Sequence, residues 1–148
     1  MFVVSWCVAS TASLDAAAAE SAPVLTVRVL GSYPYYETHE YLYWPRRTVA
    51  CATKGRGRVP ADQADPMRCH TLVWDRHRNA VLALVPKLAQ IAASHAAEYR
   101  FGCAGLDTPE VEIEGAELGV PFRLRGDDPT NCADAESKLV REVLELTP

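Results

Sequence analysis

The chain has 148 residues, a hydrophobic fraction of 49%, and 15 basic against 19 acidic side chains, for a formal net charge of −4. A chain of this size is one small domain that can bury a genuine core, which sets aside wholesale disorder. Ten prolines and eight glycines are ordinary usage and exclude a collagen-like or low-complexity chain, while the mild acidity disfavours a dedicated nucleic-acid binder.

Phe2 to Ala12 is an 11-residue, mostly apolar run, and small residues including Ala16, Ala17, Ala18 and Ala19 follow it. That length fits the apolar part of a secretory signal peptide and falls short of the ~20 residues a membrane-spanning helix needs. Residues 1–22 are therefore expected to be a signal peptide or an Ala-rich leader. Residues 23–148 are expected to be a single secreted or periplasmic domain with no transmembrane segment. The leader departs from the signal pattern in having no Lys or Arg ahead of its apolar run and in the polar Ser5 and Ser10. Five cysteines are an odd count, and loss of the leader would remove Cys7 and leave Cys51, Cys69, Cys103 and Cys132. Four cysteines in an exported domain read as two disulfides with three connectivities open. The local pairing, Cys51 with Cys69 and Cys103 with Cys132, is preferred because each pair brackets a compact unit.

In chain order, Val24 to Leu30 is rich in β-branched residues and reads as a strand. Gly31 to His39 carries turn residues. Tyr41 to Ala52 reads as a long strand interrupted at Pro45, or as two short ones; a proline there predicts an edge strand or a bulge. Lys54 to Pro66 is a loop by composition, and Cys69 to Trp74 is a third candidate strand. Apolar residues at Val81, Leu84, Val85, Leu88, Ile91, Ala92, His95 and Tyr99 keep helical spacing. Because the stripe holds its phase across Pro86, one kinked helix is expected, started by Asp75 or Asn79 and closed by Gly102. Pro109 to Leu124 alternates as a hairpin, apolar on one face and charged on the other, turning after Gly115. A last helix, capped by Asp128 or Asn131, buries Leu139, Val140, Val143, Leu144 and Leu146. Together these elements predict a disulfide-stabilised α+β domain, a small antiparallel sheet with about two helices packed on one face.

The chemistry-bearing residues do not assemble into a catalytic signature. No P-loop, dinucleotide fingerprint, G-x-S-x-G or H-E-x-x-H occurs, and the cysteine and histidine spacings are wrong for zinc. No catalytic residue, metal or cofactor is expected. His70, Asp75 and His77 could gather around one turn and are the basis of an alternative, a small hydrolase or metal-dependent enzyme. The most distinctive composition is aromatic: Tyr33, Tyr35, Tyr36, Tyr41, Tyr43 and Trp44 fall within 12 residues. Tyr and Trp supply large contact areas at low conformational cost, so they concentrate in binding surfaces. Charge is segregated as well, with eight basic and three acidic residues from Arg46 to Arg78, and seven acidic and two basic from Asp107 to Asp128. The basic stretch could attract the acidic one or an anionic partner. These features favour an exported, non-enzymatic binding domain, an inhibitor or surface-interaction module. Its expected contact residues are Tyr33, Tyr35, Tyr36, Trp44, Arg46 and Arg47, and its partner is another protein or an anionic or glycan surface. A third reading is a structural subunit of a surface assembly that pairs through the proline-interrupted edge strand.

Overall fold

The computed structural model describes residues 22–31, 37–54, 65–103 and 108–148. The expected leader, Tyr33, Tyr35, Tyr36 and the centre of the basic loop lie outside the described residues. The elements in order are β1 (Leu25–Leu30), β2 (Glu37–Tyr43), β3 (Thr48–Lys54), β4 (Arg68–Leu72), α1 (Arg78–Ala83), α2 (Val85–Ser94), β5 (Arg100–Phe101), β6 (Glu110–Glu117), β7 (Val120–Asp127) and α3 (Ala135–Leu146).

The small antiparallel sheet expected from the sequence is corrected to a seven-stranded mixed sheet, ordered β4-β3-β2-β1-β6-β7-β5. Its parallel pair is β5 with β7, where Arg100 faces Arg125 and Phe101 faces Gly126. A two-residue strand is too short to show an alternation, so nothing in the local sequence announces it. The expected proline-interrupted edge strand is also overturned. Pro45 sits in the turn joining β2 to β3, closed by the Trp44 N–H donating to the Arg47 carbonyl at 2.9 Å, and both strands are interior. A proline pre-sets the backbone of such a turn and takes no part in a ladder there.

Period-two alternation places one apolar row on each central strand. Leu25 and Val27 of β1 share one face with Val111 and Ile113 of β6, Leu124 of β7 and Tyr43 of β2, all buried, with Val27 opposite Ile113 and Leu25 opposite Tyr43. Burial pushes the Tyr43 phenol up to about 12, although its hydroxyl donates to Thr147 Oγ1 at 3.2 Å. Val81 of α1, Val85 and Leu88 of α2, and Val140 and Val143 of α3 complete this core. Helix α2 packs directly on β6 and β7, and α1 and α3 pack against α2 and each other. In place of one kinked helix, the chain breaks at Leu84, whose N–H reaches the Val81 carbonyl while its own carbonyl accepts from Leu88. Pro86 thus falls in the first turn of α2, where its missing donor leaves nothing unpaired. The helix stops at Ser94, short of His95 and Tyr99, whose rings stack at 3.7 Å. The final helix is capped by Asp134, whose carboxylate accepts from the Ser137 N–H at 2.8 Å, and not by Asp128 or Asn131.

The hairpin β6–β7 turns at Leu118 and Gly119, three residues later than expected, with φ of 49° and 79°. Two successive left-handed residues define the turn whose twist matches antiparallel strands. Both disulfides adopt the preferred local pairing: Cys51 with Cys69 at a Cα separation of 4.0 Å, and Cys103 with Cys132 at 5.6 Å.

The face of the sheet opposite the helices carries interleaved charge. Arg28 lies 2.7 Å from Glu40 and 3.0 Å from Glu114; Arg123 reaches Glu112 and Glu114; Arg125 pairs with Glu110; Arg100 bridges Glu110 and Asp127. Hydrogen bonding from Arg125, reinforced by the nearby charges of Arg125 and Arg100, holds the Glu110 carboxyl below its ordinary value of 4.5. A carboxyl depressed in the folded state contributes stability that is complete above its unfolded value and lost as pH falls through the folded one. Glu110→Gln is therefore expected to lower stability by about 0.5–1 kcal/mol at neutral pH, the worth of an exposed ion pair. The difference from the wild type should close in urea titrations carried well below pH 4.5. A constant difference across that range would show that the Glu110 charge is not what the variant loses.

Candidate docking surface

The antiparallel register brings the ends of several strands together. Tyr43 of β2 pairs with Leu25 of β1 and Thr48 of β3, and Thr48 pairs with Leu72 of β4; on the other side Leu25 pairs with Gly115, near the end of β6. The β2–β3 turn, the segment leaving β4 and the β6–β7 tip therefore share one end of the sheet. Leu118 at that tip is 94% exposed, and Val73 and Trp74, just past β4, are 103% and 80% exposed. An apolar side chain in water forgoes burial energy, and the adjacent Val73 and Trp74 make a patch more apolar than a single exposed residue does; Leu118 stands apart, four strand spacings or roughly 19 Å across the sheet.

In the β2–β3 turn, the Arg47 guanidinium lies 4.2 Å over the Trp44 ring, and Arg46 is exposed beside it. Such a cation–π contact holds both groups in place for about 0.5–1 kcal/mol. Next to the turn, Asp75 fastens the segment after β4 to β3. Its carboxylate accepts from Thr48 Oγ1 at 2.7 Å and from the backbone N–H groups of His77 and Arg78, which start α1. Val73 and Trp74 are thus presented on a fixed segment. Arg76 is exposed there and donates to His77 Nε2 at 2.8 Å.

Among the described residues, no ion pair joins the basic stretch from Arg46 to Arg78 to the acidic stretch from Asp107 to Asp128. The acidic strand β6 is satisfied by Arg28, Arg100, Arg123 and Arg125, which come from β1, β5 and β7. Among the described residues, Arg46, Arg47, Arg68 and Arg76 form no ion pair and are exposed, so these four keep their charge facing solvent.

Of the expected contact residues, Trp44, Arg46 and Arg47 stand together at this end. Tyr33, Tyr35 and Tyr36 lie outside the described residues; the residues flanking them, Gly31 and Glu37, are hydrogen-bonded at the opposite end, one strand length or roughly 20 Å away. Tyr43 is core and Tyr41 packs against it. Val73, Trp74 and Arg76 were not singled out from the sequence, because Trp74 reads as the last residue of a strand. His70, Asp75 and His77 do not form a metal site: among the described residues, no three His, Cys, Asp or Glu side chains group to hold an ion. No helix among them is long and apolar enough to cross a membrane. A separate cleft of about 800 Å³ lies between α2 and the β6–β7 hairpin, lined by Ala89, Ala93, Val120 and Phe122.

No protein-family model matches the chain, and no curated protein or solved structure matches it.

Proposed function

We propose that the chain is an exported, non-enzymatic binding domain that docks an acidic protein surface through the sheet end bearing Trp44, Arg46, Arg47, Val73, Trp74 and Arg76. The observation that carries this reading is the coincidence of exposed Trp74 and Val73 with arginines that no described carboxylate neutralises. Aromatic anchors ringed by arginine are the usual centre of a protein interface, and unpaired positive charge accelerates encounter with an acidic partner. Export is supported by the two disulfides and by the apolar, alanine-rich character of residues 1–22. The intact mass of the protein recovered from the export compartment, under non-reducing conditions, tests both the leader and the pairing.

The docking end supplies its own reporter. Of three tryptophans, Trp6 belongs to the expected leader, and Trp44 and Trp74 both stand at this end. Titration with poly-glutamate at low salt is expected to change the tryptophan emission. The triple reversal Arg46→Glu, Arg47→Glu, Arg76→Glu should weaken binding at least tenfold, and salt should weaken it too. Equal binding by the wild type and the triple variant would reject this surface.

A further inference from the structure

The outer strand β4 is an open template beside the docking end. All of its residues from Arg68 to Thr71 are exposed, and among the described residues no strand pairs with its outer side. No residue of β4 belongs to the core cluster under the helices, whereas its neighbour β3 is largely buried, with Thr48, Ala50, Cys51 and Thr53 all inside. The Cys51–Cys69 disulfide joins directly opposed residues and ties β4 to the buried β3. The phase of its hydrogen bonds follows from the β2–β3 turn. Trp44 donates its N–H to the Arg47 carbonyl across the turn, so Thr48, Ala50 and Ala52 direct their groups away from β2 and toward β4. Their partners Leu72, His70 and Arg68 answer them. The N–H and C=O groups of Cys69 and Thr71 therefore point outward, consistent with the short 4.0 Å Cα separation of Cys51 and Cys69, which marks a pair without mutual backbone bonds.

We infer that β4 captures an extended acidic segment of the partner by antiparallel strand addition, with Cys69 and Thr71 supplying the main-chain bonds. This rests on the proposed docking end and names the mode of recognition beside it. An added strand gains affinity from backbone bonds and selectivity from alternate side chains. On the helix-side face, β4 presents Leu72, His70 and Arg68 in sequence, and Lys54 stands on the same face of β3. An antiparallel partner strand would set an apolar residue opposite Leu72 and carboxylates opposite His70 and Arg68. Its pattern is apolar-x-acidic-x-acidic. Charge complementarity also selects against a second copy of this chain, whose own β4 would bring arginine and histidine to the same basic face.

The probe is a fluorescein-labelled peptide reading leucine, threonine, glutamate, threonine, glutamate, measured by anisotropy against the full chain. In the inferred register its two threonines lie opposite Thr71 and Cys69, and their N–H groups bond β4. N-methylation at both threonines is expected to weaken binding at least tenfold, and N-methylation at the two glutamates to change it less than threefold. The chain variant Thr71→Pro removes an outward N–H without touching the β3 ladder and should mimic the first peptide; Thr71→Val should not. Equal sensitivity at both sets of positions, insensitivity at both, or no binding of the unmodified peptide overturns strand addition, while the poly-glutamate result stands or falls separately. Loss of peptide binding on threonine methylation in a chain indifferent to the Arg46, Arg47 and Arg76 reversal would instead remove the docking end and leave β4 as the recognition element. Should Thr71→Pro fail to fold, the methylated peptides decide the matter alone.

Discussion

Reducing both disulfides is expected to leave the domain largely unfolded under conditions where the oxidised form is native. The two bonds close segments separated by 18 and 29 residues. In the chain-entropy picture, loops of that size each stabilise the fold by about 3–4 kcal/mol. Together they account for roughly 6–7 kcal/mol, against the total of about 5–15 kcal/mol typical of a whole domain. They also act where the core does not. Cys51–Cys69 anchors β4, which shares nothing with the buried cluster. Cys103–Cys132 fastens the end of β5 to the approach to α3, where the Gly102 N–H also donates to Ser137 Oγ and Arg141 donates to the carbonyls of Thr130 and Cys132. Both Cys51→Ala, Cys69→Ala and Cys103→Ala, Cys132→Ala should lower the global urea midpoint, and the first should in addition lose amide protection in β4. A reduced protein with an unchanged cooperative transition would contradict this account.

Gly126→Ala is expected to destabilise the fold by about 3 kcal/mol or more, the upper range for overpacking. A Cβ at this position would stand 2.2 Å from the Phe101 carbonyl oxygen and 2.6 Å from the Phe101 ring. Neither can retreat. The carbonyl belongs to β5, held beside β7, and the ring is 2% exposed in the core. The position requires glycine for this close approach of two backbones and not for an unusual φ. Gly119→Asn at the hairpin tip is the control: the residue sits in the left-handed region that Asn tolerates, and a Cβ there meets nothing within 4 Å. Its urea midpoint should stay within about 0.5 kcal/mol of the wild type. Comparable losses from both substitutions would point to backbone conformation, and not contact with Phe101, as the role of Gly126.

Local residue chemistry made much of this fold legible. The alternation of Val111 and Ile113 with Glu110, Glu112 and Glu114 announces both the strand and its two-sided character, because successive strand side chains point to opposite faces. The stripe from Val81 to Leu88 likewise announces helix, and the cysteine spacing suggests local pairing. The break at Leu84 was not legible, since an apolar stripe keeps its phase whether or not the backbone is interrupted. Nor was β5, which owes its existence to the groove Gly126 leaves beside β7.

For the site, composition alone draws attention to the aromatic and basic run from Tyr33 to Arg47; of its described aromatic and basic members, Arg46 and Arg47 are exposed and Trp44 half-buried, while Tyr43 is core and Tyr41 packs against it. It also shows that acidic and basic stretches are segregated. What only the tertiary structure decided is which charges meet. Strand register is a long-range property: it sets Glu110, Glu112 and Glu114 against Arg28, Arg100, Arg123 and Arg125, and among the described residues Arg46, Arg47, Arg68 and Arg76 are left without an ion pair. The same register carries Val73 and Trp74 to the side of Trp44, some 30 positions earlier in the chain. Side-chain type determines what a residue can offer; hydrogen-bonded register determines what stands next to it.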